Sequence, residues 1–145
     1  MKKLLLILTL CLAFSCKKKN NDANLDLTSY TWPLQSATIS PAKEINGKLV
    51  TDFIITSDNS SCLSNYTLNF SANGSFSFTS TGALCDMISY EKAKWSRNGN
   101  EIKLNNGYAP DETVILNGKT ITQKYTSKEN GITYTITYIF VAKSK

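Results

Sequence analysis

Six Asn-Gly dipeptides punctuate this chain: Asn46-Gly47, Asn73-Gly74, Asn98-Gly99, Asn106-Gly107, Asn117-Gly118 and Asn130-Gly131. They hold six of the seven glycines. Both residue types tolerate positive φ, which the tight primed turns of antiparallel hairpins demand. Between the dipeptides lie short runs rich in Thr, Tyr, Ile, Val and Phe. The clearest is Ile132 to Val141, where even positions are large and apolar and odd positions begin as threonine. That period of two describes a strand with one buried face. Past the N-terminal apolar run, no stretch has helical periodicity. The chain reads as all-β.

Facing residues in a hairpin must send their apolar side chains to the same side of the sheet, so each turn can be tested by its register. A two-residue turn at Asn130-Gly131 places Tyr125 opposite Ile136, Gln123 opposite Tyr138 and Ile121 opposite Phe140. The same rule at Asn117-Gly118 sets Val114 against Ile121. At Asn98-Gly99 it sets Trp95 against Ile102 and Ala93 against Leu104, with Lys94 and Lys103 sharing the wet face. Asn73-Gly74 breaks the rule, because two residues there would divide Tyr66, Leu68 and Phe70 from Phe76 and Phe78. A three-residue loop, Ala72-Asn73-Gly74 with a left-handed Gly74, pairs Phe70 with Phe76 and Leu68 with Phe78 instead. The predicted strands are 31–40, 48–56, 65–71, 75–80, 89–97, 100–105, 112–116, 119–127 and 131–142. Joined by short turns they make an up-and-down antiparallel meander of eight or nine strands. Closing it into a barrel removes the exposed edges. The competing Greek-key sandwich needs long crossing connections, and this chain has few.

The N-terminus reads as an address. Lys2 and Lys3 precede an apolar run from Leu4 to Phe14. A bilayer span needs about twenty residues, so this run has the size of a signal-peptide core rather than of a membrane helix. Leu12-Ala13-Phe14-Ser15-Cys16 resembles the lipobox of bacterial lipoproteins, which implies cleavage after Ser15 and acylation of Cys16. An ordinary secretory signal is the competing reading. Cys11 follows Leu10 rather than a small residue and does not fit the motif. The expected layout is a signal peptide over 1–15, a lipidated flexible tether over 16–26, and one folded domain over 27–145. The tether is Lys-, Asn- and Asp-rich and buries little apolar area. This address implies export to the bacterial outer membrane or cell surface, held to the membrane by the lipid on Cys16.

Composition narrows the function. Hydrophobic residues are 41% and charged residues 19%, which suits a globular domain rather than a disordered chain. Sixteen basic residues stand against eleven acidic ones. Loss of Lys2 and Lys3 with the signal leaves fourteen against eleven, a net of +3. Arg97 is the only arginine, so nothing marks a nucleic-acid surface. There is no histidine, which removes imidazole triads, histidine-ligated metals and histidine acid–base catalysis. The carboxylate groupings Asp111-Glu112 and Glu91 with Glu101 read as solvated charges. The chain is expected to be no enzyme and to carry no cofactor and no metal.

Cys62 and Cys85 remain in the mature domain. The three-residue loop register sets Cys62 opposite Leu84, one residue from Cys85, and an oxidising compartment makes a disulfide the expected state. A reactive or metal-binding pair is the alternative, without a histidine or a nearby basic partner.

Trp32-Pro33-Leu34-Gln35-Ser36-Ala37-Thr38-Ile39-Ser40-Pro41-Ala42, followed by Asn46-Gly47-Lys48 and Thr51-Asp52-Phe53, resembles the opening of the bacterial lipocalin-like domain lipoproteins. Cys62, the stretch Leu68 to Phe76, Cys85 and the stretch Asn130 to Thr137 are similar to the same family pattern. The resemblance implies a lipocalin-like barrel displayed from a lipid anchor. Where lipocalins carry Gly-x-Trp on the first strand, this chain has Tyr30-Thr31-Trp32, with Trp32 placed to plug the closed end.

The predicted inward set is Trp32, Phe53, Tyr66, Leu68, Phe70, Phe76, Phe78, Trp95, Ile102, Tyr125, Tyr134, Ile136, Tyr138 and Phe140. Two functions fit it. One is a carrier whose barrel holds a small apolar ligand against Phe53, Tyr66, Phe76, Trp95, Gln123, Tyr125, Tyr134 and Tyr138. The other is a non-enzymatic interaction module with a filled core, whose loops at 57–64 and 81–88 contact another envelope protein or a glycan. A hollow interior favours the first and a packed one the second.

Overall fold

Turn chemistry sets the ladder, and the same dipeptide is used in three ways. The computed structural model describes residues 24–57, 60–82, 85 and 89–145. The predicted signal peptide, Cys16 and the tether as far as residue 23 lie outside the described residues. Strand β1 is Tyr30–Ile45 and β2 is Lys48–Asp52. Helices α1 (Phe53–Thr56) and α2 (Ser60–Leu63) follow. Next come β3 (Thr67–Phe70), β4 (Phe76–Thr79), β5 (Lys94–Asn98), β6 (Glu101–Asn105) and β7 (Glu112–Asn117). The chain closes with β8 (Thr120–Glu129), β9 (Ile132–Val141) and β10 (Lys143–Ser144).

At Asn46-Gly47 and Asn130-Gly131 both residues have positive φ, so the dipeptide occupies the two central positions of the turn. The β8–β9 register is therefore the one the sequence implies, with Gln123 against Tyr138 and Ile121 against Phe140. At Asn98-Gly99 and Asn117-Gly118 only the glycine has positive φ. Glycine takes the first central position there, as in a II′ turn, and asparagine ends the preceding strand. Both registers consequently differ from expectation by two. Trp95 faces Leu104, Arg97 faces Ile102, and Ser96 rather than Lys94 faces Lys103. Leu116, not Val114, faces Ile121. A slip of two leaves every side chain on its original face, so the inward set survives the error. The loop at Asn73-Gly74 is the three-residue one: Gly74 is left-handed, and Phe70 pairs with Phe76 and Leu68 with Phe78.

The sheet runs β4-β3-β1-β9-β8-β7-β6-β5, all antiparallel, with β2 and β10 also paired to β1. First and last strands meet through β1–β9, which curls the meander into an up-and-down barrel. The seam between β4 and β5 is nearly closed. Among the described residues, a bridge from Ser75 to Lys94 and the Trp95 N–H donating to the Gly74 carbonyl at 2.9 Å hold it at one end.

Two short helices and two shortened strands depart from the expected all-strand reading. The predicted strand 48–56 stops at Asp52, whose side chain accepts from the Ile54 N–H at 2.9 Å. That N-cap turns the chain into α1. The predicted strand 89–97 begins only at Lys94, because Ala93 N–H bonds back to the Tyr90 carbonyl at 3.0 Å and makes a turn. The packed part also includes the last residues of the predicted tether. Asp26 caps the 3₁₀ turn Leu27–Ser29, Leu25 packs against the core, and the Leu25 carbonyl accepts from Arg97 at 2.6 Å.

One end of the barrel is filled. Trp32 is wholly buried, donates its indole N–H to the Leu27 carbonyl at 3.1 Å, and meets Phe70 edge-on at 6.4 Å. Leu68, Ile102, Val114, Leu116, Ile121 and Phe140 are buried with it. This is the plug that the position of Trp32 implied.

Candidate functional site

The opposite end keeps space because the β4–β5 ladder does not continue. Tyr90, just before β5, stands 6.0 Å from Phe76 and 6.1 Å from Phe78 across the seam. The fourth ring belongs to Tyr66. Its backbone is held between the Leu34 N–H, which donates to its carbonyl at 2.7 Å, and the Leu63 carbonyl, which its own N–H reaches at 3.2 Å. The Tyr66 ring stacks on Phe78 at 4.7 Å with the planes 2° apart. These four rings, with Leu104, Asn106, Glu112 and Gln123, line a partly open cavity of about 180 Å³.

Gln123 gives the cavity its chemistry. It lies on β8 between inward-facing Ile121 and Tyr125 and is only 8% exposed. Its amide N–H donates to a carboxylate oxygen of Glu112 at 2.5 Å, and its carbonyl oxygen Oε1 is buried with no hydrogen-bond partner among the described residues. A carboxylate only accepts, so Glu112 fixes which way the amide points and leaves an unmet acceptor. Such a group costs about 1–3 kcal/mol, against a net worth of about 1 kcal/mol for the bond on the other side of the amide. Gln123→Leu is therefore expected to be neutral or slightly stabilising in chemical denaturation. A loss above about 2 kcal/mol would show that the carbonyl is satisfied after all.

Beside the cavity, the Tyr125 and Tyr138 hydroxyls lie 3.0 Å apart, with the Phe53 ring packed over both. Burial pushes the Tyr66, Tyr90, Tyr125 and Tyr138 phenols above their ordinary value, and the Glu112 charge adds to the shift in all four. An acid whose folded value is raised supports the fold fully below its unfolded value and withdraws that support as pH rises beyond it. Stability is thus expected to fall above a pH of about 10, where unfolded tyrosines ionise. Phenolate absorbance recorded alongside the unfolding signal checks this. Ionisation of these four before unfolding begins would contradict it.

Of the eight predicted ligand-site residues, Tyr66, Phe76 and Gln123 line the cavity. The others are placed differently. Trp95 packs on Phe70 at 5.2 Å and donates to the Ser71 carbonyl at 3.2 Å, next to the plugged end. Tyr138 packs between Tyr66 and Phe53, Tyr125 bonds to it, and Tyr134 is buried on β9. Phe53 comes from α1 rather than from a strand. Sequence reasoning missed Tyr90, Asn106 and Glu112 as lining residues. Glu112 carried a usable signal, since it shares the parity of inward Val114 and Leu116. Tyr90 did not, because its position depends on where β5 fails to form.

Cys62 and Cys85 are joined, with Cα atoms 5.4 Å apart. The bond ties α2 to the segment after β4 at the open end, near Tyr66. Parts of the predicted contact loops, residues 58–59, 83–84 and 86–88, lie outside the described residues.

Comparison of the chain with protein-family models gives no match, and comparison with curated proteins and with solved structures gives none either.

Proposed function

We propose that this chain is a membrane-anchored envelope lipoprotein whose barrel carries a small, largely apolar ligand at its open end. The observation that carries the reading is the unmet Gln123 carbonyl inside an aromatic cavity. A buried acceptor without a partner is costly unless something donates to it, and four rings around it offer a mostly apolar seat. The plugged end supplies stability, so the open end is free to be incompletely packed. The anchor is supported by the lipobox-like Leu12 to Cys16, and the reading is of a binder rather than a catalyst. Partners follow from this: a membrane through the lipid on Cys16, and a small hydrophobic molecule in the barrel.

Two measurements test it. Intact mass of the protein extracted from its host membrane is expected to show Cys16 as the acylated first residue, with Cys16→Ser releasing the chain from the membrane fraction. Native mass spectrometry of the same preparation is expected to show a copurified small molecule. Repeated clean spectra would count against the carrier and favour a module acting through its loops.

A further inference from the structure

Two of the polar groups around the cavity, Gln123 and Glu112, offer oxygen acceptors, while the Tyr66 and Tyr90 hydroxyls and the Asn106 amide can also donate. Among the described residues, nothing donates to Gln123 Oε1. The Glu112 carboxylate takes a hydrogen bond only from a neutral amide, and among the described residues no lysine or arginine forms an ion pair with it. The ring faces of Tyr66, Phe76, Phe78 and Tyr90 are the negative ends of their quadrupoles. From these observations, and resting on the reading of the cavity as a ligand site, we propose that the ligand is an organic amine. Its ammonium head lies between Glu112 and Gln123, and its apolar body lies among the four rings.

An ammonium group brings three donors and a positive charge. One donor meets Glu112, another reaches Gln123 Oε1 when the side chain turns that buried oxygen toward the cavity, and the charge faces the rings, where cation–π attraction adds to the ion pair. An alcohol or phenol would satisfy Oε1 but form no ion pair with the carboxylate, which is exposed at the start of β7. A fatty acid or other carboxylate would be repelled by Glu112. Size sets the rest. A cavity of about 150 Å³ takes benzene, so about 180 Å³ takes one ring with a short amine arm, and a longer body can pass out through the partly open mouth.

The test uses the processed protein purified in a non-ionic detergent and three probes of one shape: phenethylamine, phenethyl alcohol and 3-phenylpropionate. Affinities are read by calorimetry and by ligand-observed NMR. Phenethylamine is expected to bind at least about tenfold more tightly than the alcohol, with the acid not binding. Glu112→Gln is expected to lower amine affinity by about tenfold, the loss of one ion pair, and to lower alcohol affinity by clearly less. Unaltered tyrosine spectra and melting show that the variant is folded. Equal or tighter binding of the alcohol, or an indifferent Glu112→Gln, overturns the amine assignment and leaves the carrier intact. Silence from all three probes overturns the assignment and removes the carrier with it.

Discussion

Trp32→Ala is expected to lower the stability of the folded domain by about 4 kcal/mol, within the range for deleting a fully buried large aromatic. Three losses combine. The substitution empties the centre of the plugged end, where Trp32 packs between Tyr30 and Phe70. It removes the donor to the Leu27 carbonyl. It also unseats the 3₁₀ turn Leu27–Ser29, which that hydrogen bond holds against the barrel. Domains of this size are stable by only about 5–15 kcal/mol, so most of the margin goes. Trp95→Ala is the control, since it removes the same residue type from the same ring cluster at a half-buried position. It is expected to cost clearly less. Urea denaturation of both variants decides, and a Trp32→Ala cost under about 2 kcal/mol would mean that the end is not held by its plug.

Breaking the Cys62–Cys85 bond is expected to cost about 3 kcal/mol. The two cysteines are 23 residues apart, and closing a loop of that length in the unfolded chain accounts for an effect of this size. Intact mass with and without reductant establishes the bond, and denaturation of Cys62→Ser/Cys85→Ser measures its worth. The variant should also loosen the open end more than the plugged one. Tyr66 follows directly on the bonded helix, and Gly82 sits so close to the bond that a Cβ there would lie 2.8 Å from the Cys85 sulfur. Hydrogen exchange is expected to quicken around α2 and β4 while β8 and β9 stay protected. Uniform loosening would argue that the disulfide supports the whole barrel.

Much of the candidate site was legible before any coordinates. Gln123 stood out as a polar residue at an inward position, and Tyr66 and Phe76 followed from the three-residue loop at Gly74. Glu112 shares the inward parity of Val114 and Leu116, yet it is exposed at the start of β7, in keeping with the reading of Asp111-Glu112 as solvated charges. The predicted cup was too broad. Trp95, Tyr125, Tyr134 and Tyr138 share the inward face, yet an inward side chain in a small barrel meets another side chain before it meets space. Alternation reports which face a residue takes and says nothing of the height at which packing ends.

That distinction separates the two contributions. Asn-Gly punctuation and alternating side chains determined by themselves that the chain folds as antiparallel hairpins, which residues point inward, and that Cys62 and Cys85 come together. Each is a local property with a period of two residues, indifferent to a slip of two at Gly99 and Gly118. Tertiary structure decided where asparagine sits in each turn, where α1 replaces the end of β2, and where the β4–β5 seam stops. Those outcomes depend on curvature and closure of the entire sheet, a condition no single hairpin contains. The cavity beside Tyr90 exists because the ring of strands closes at one end of that seam and not at the other.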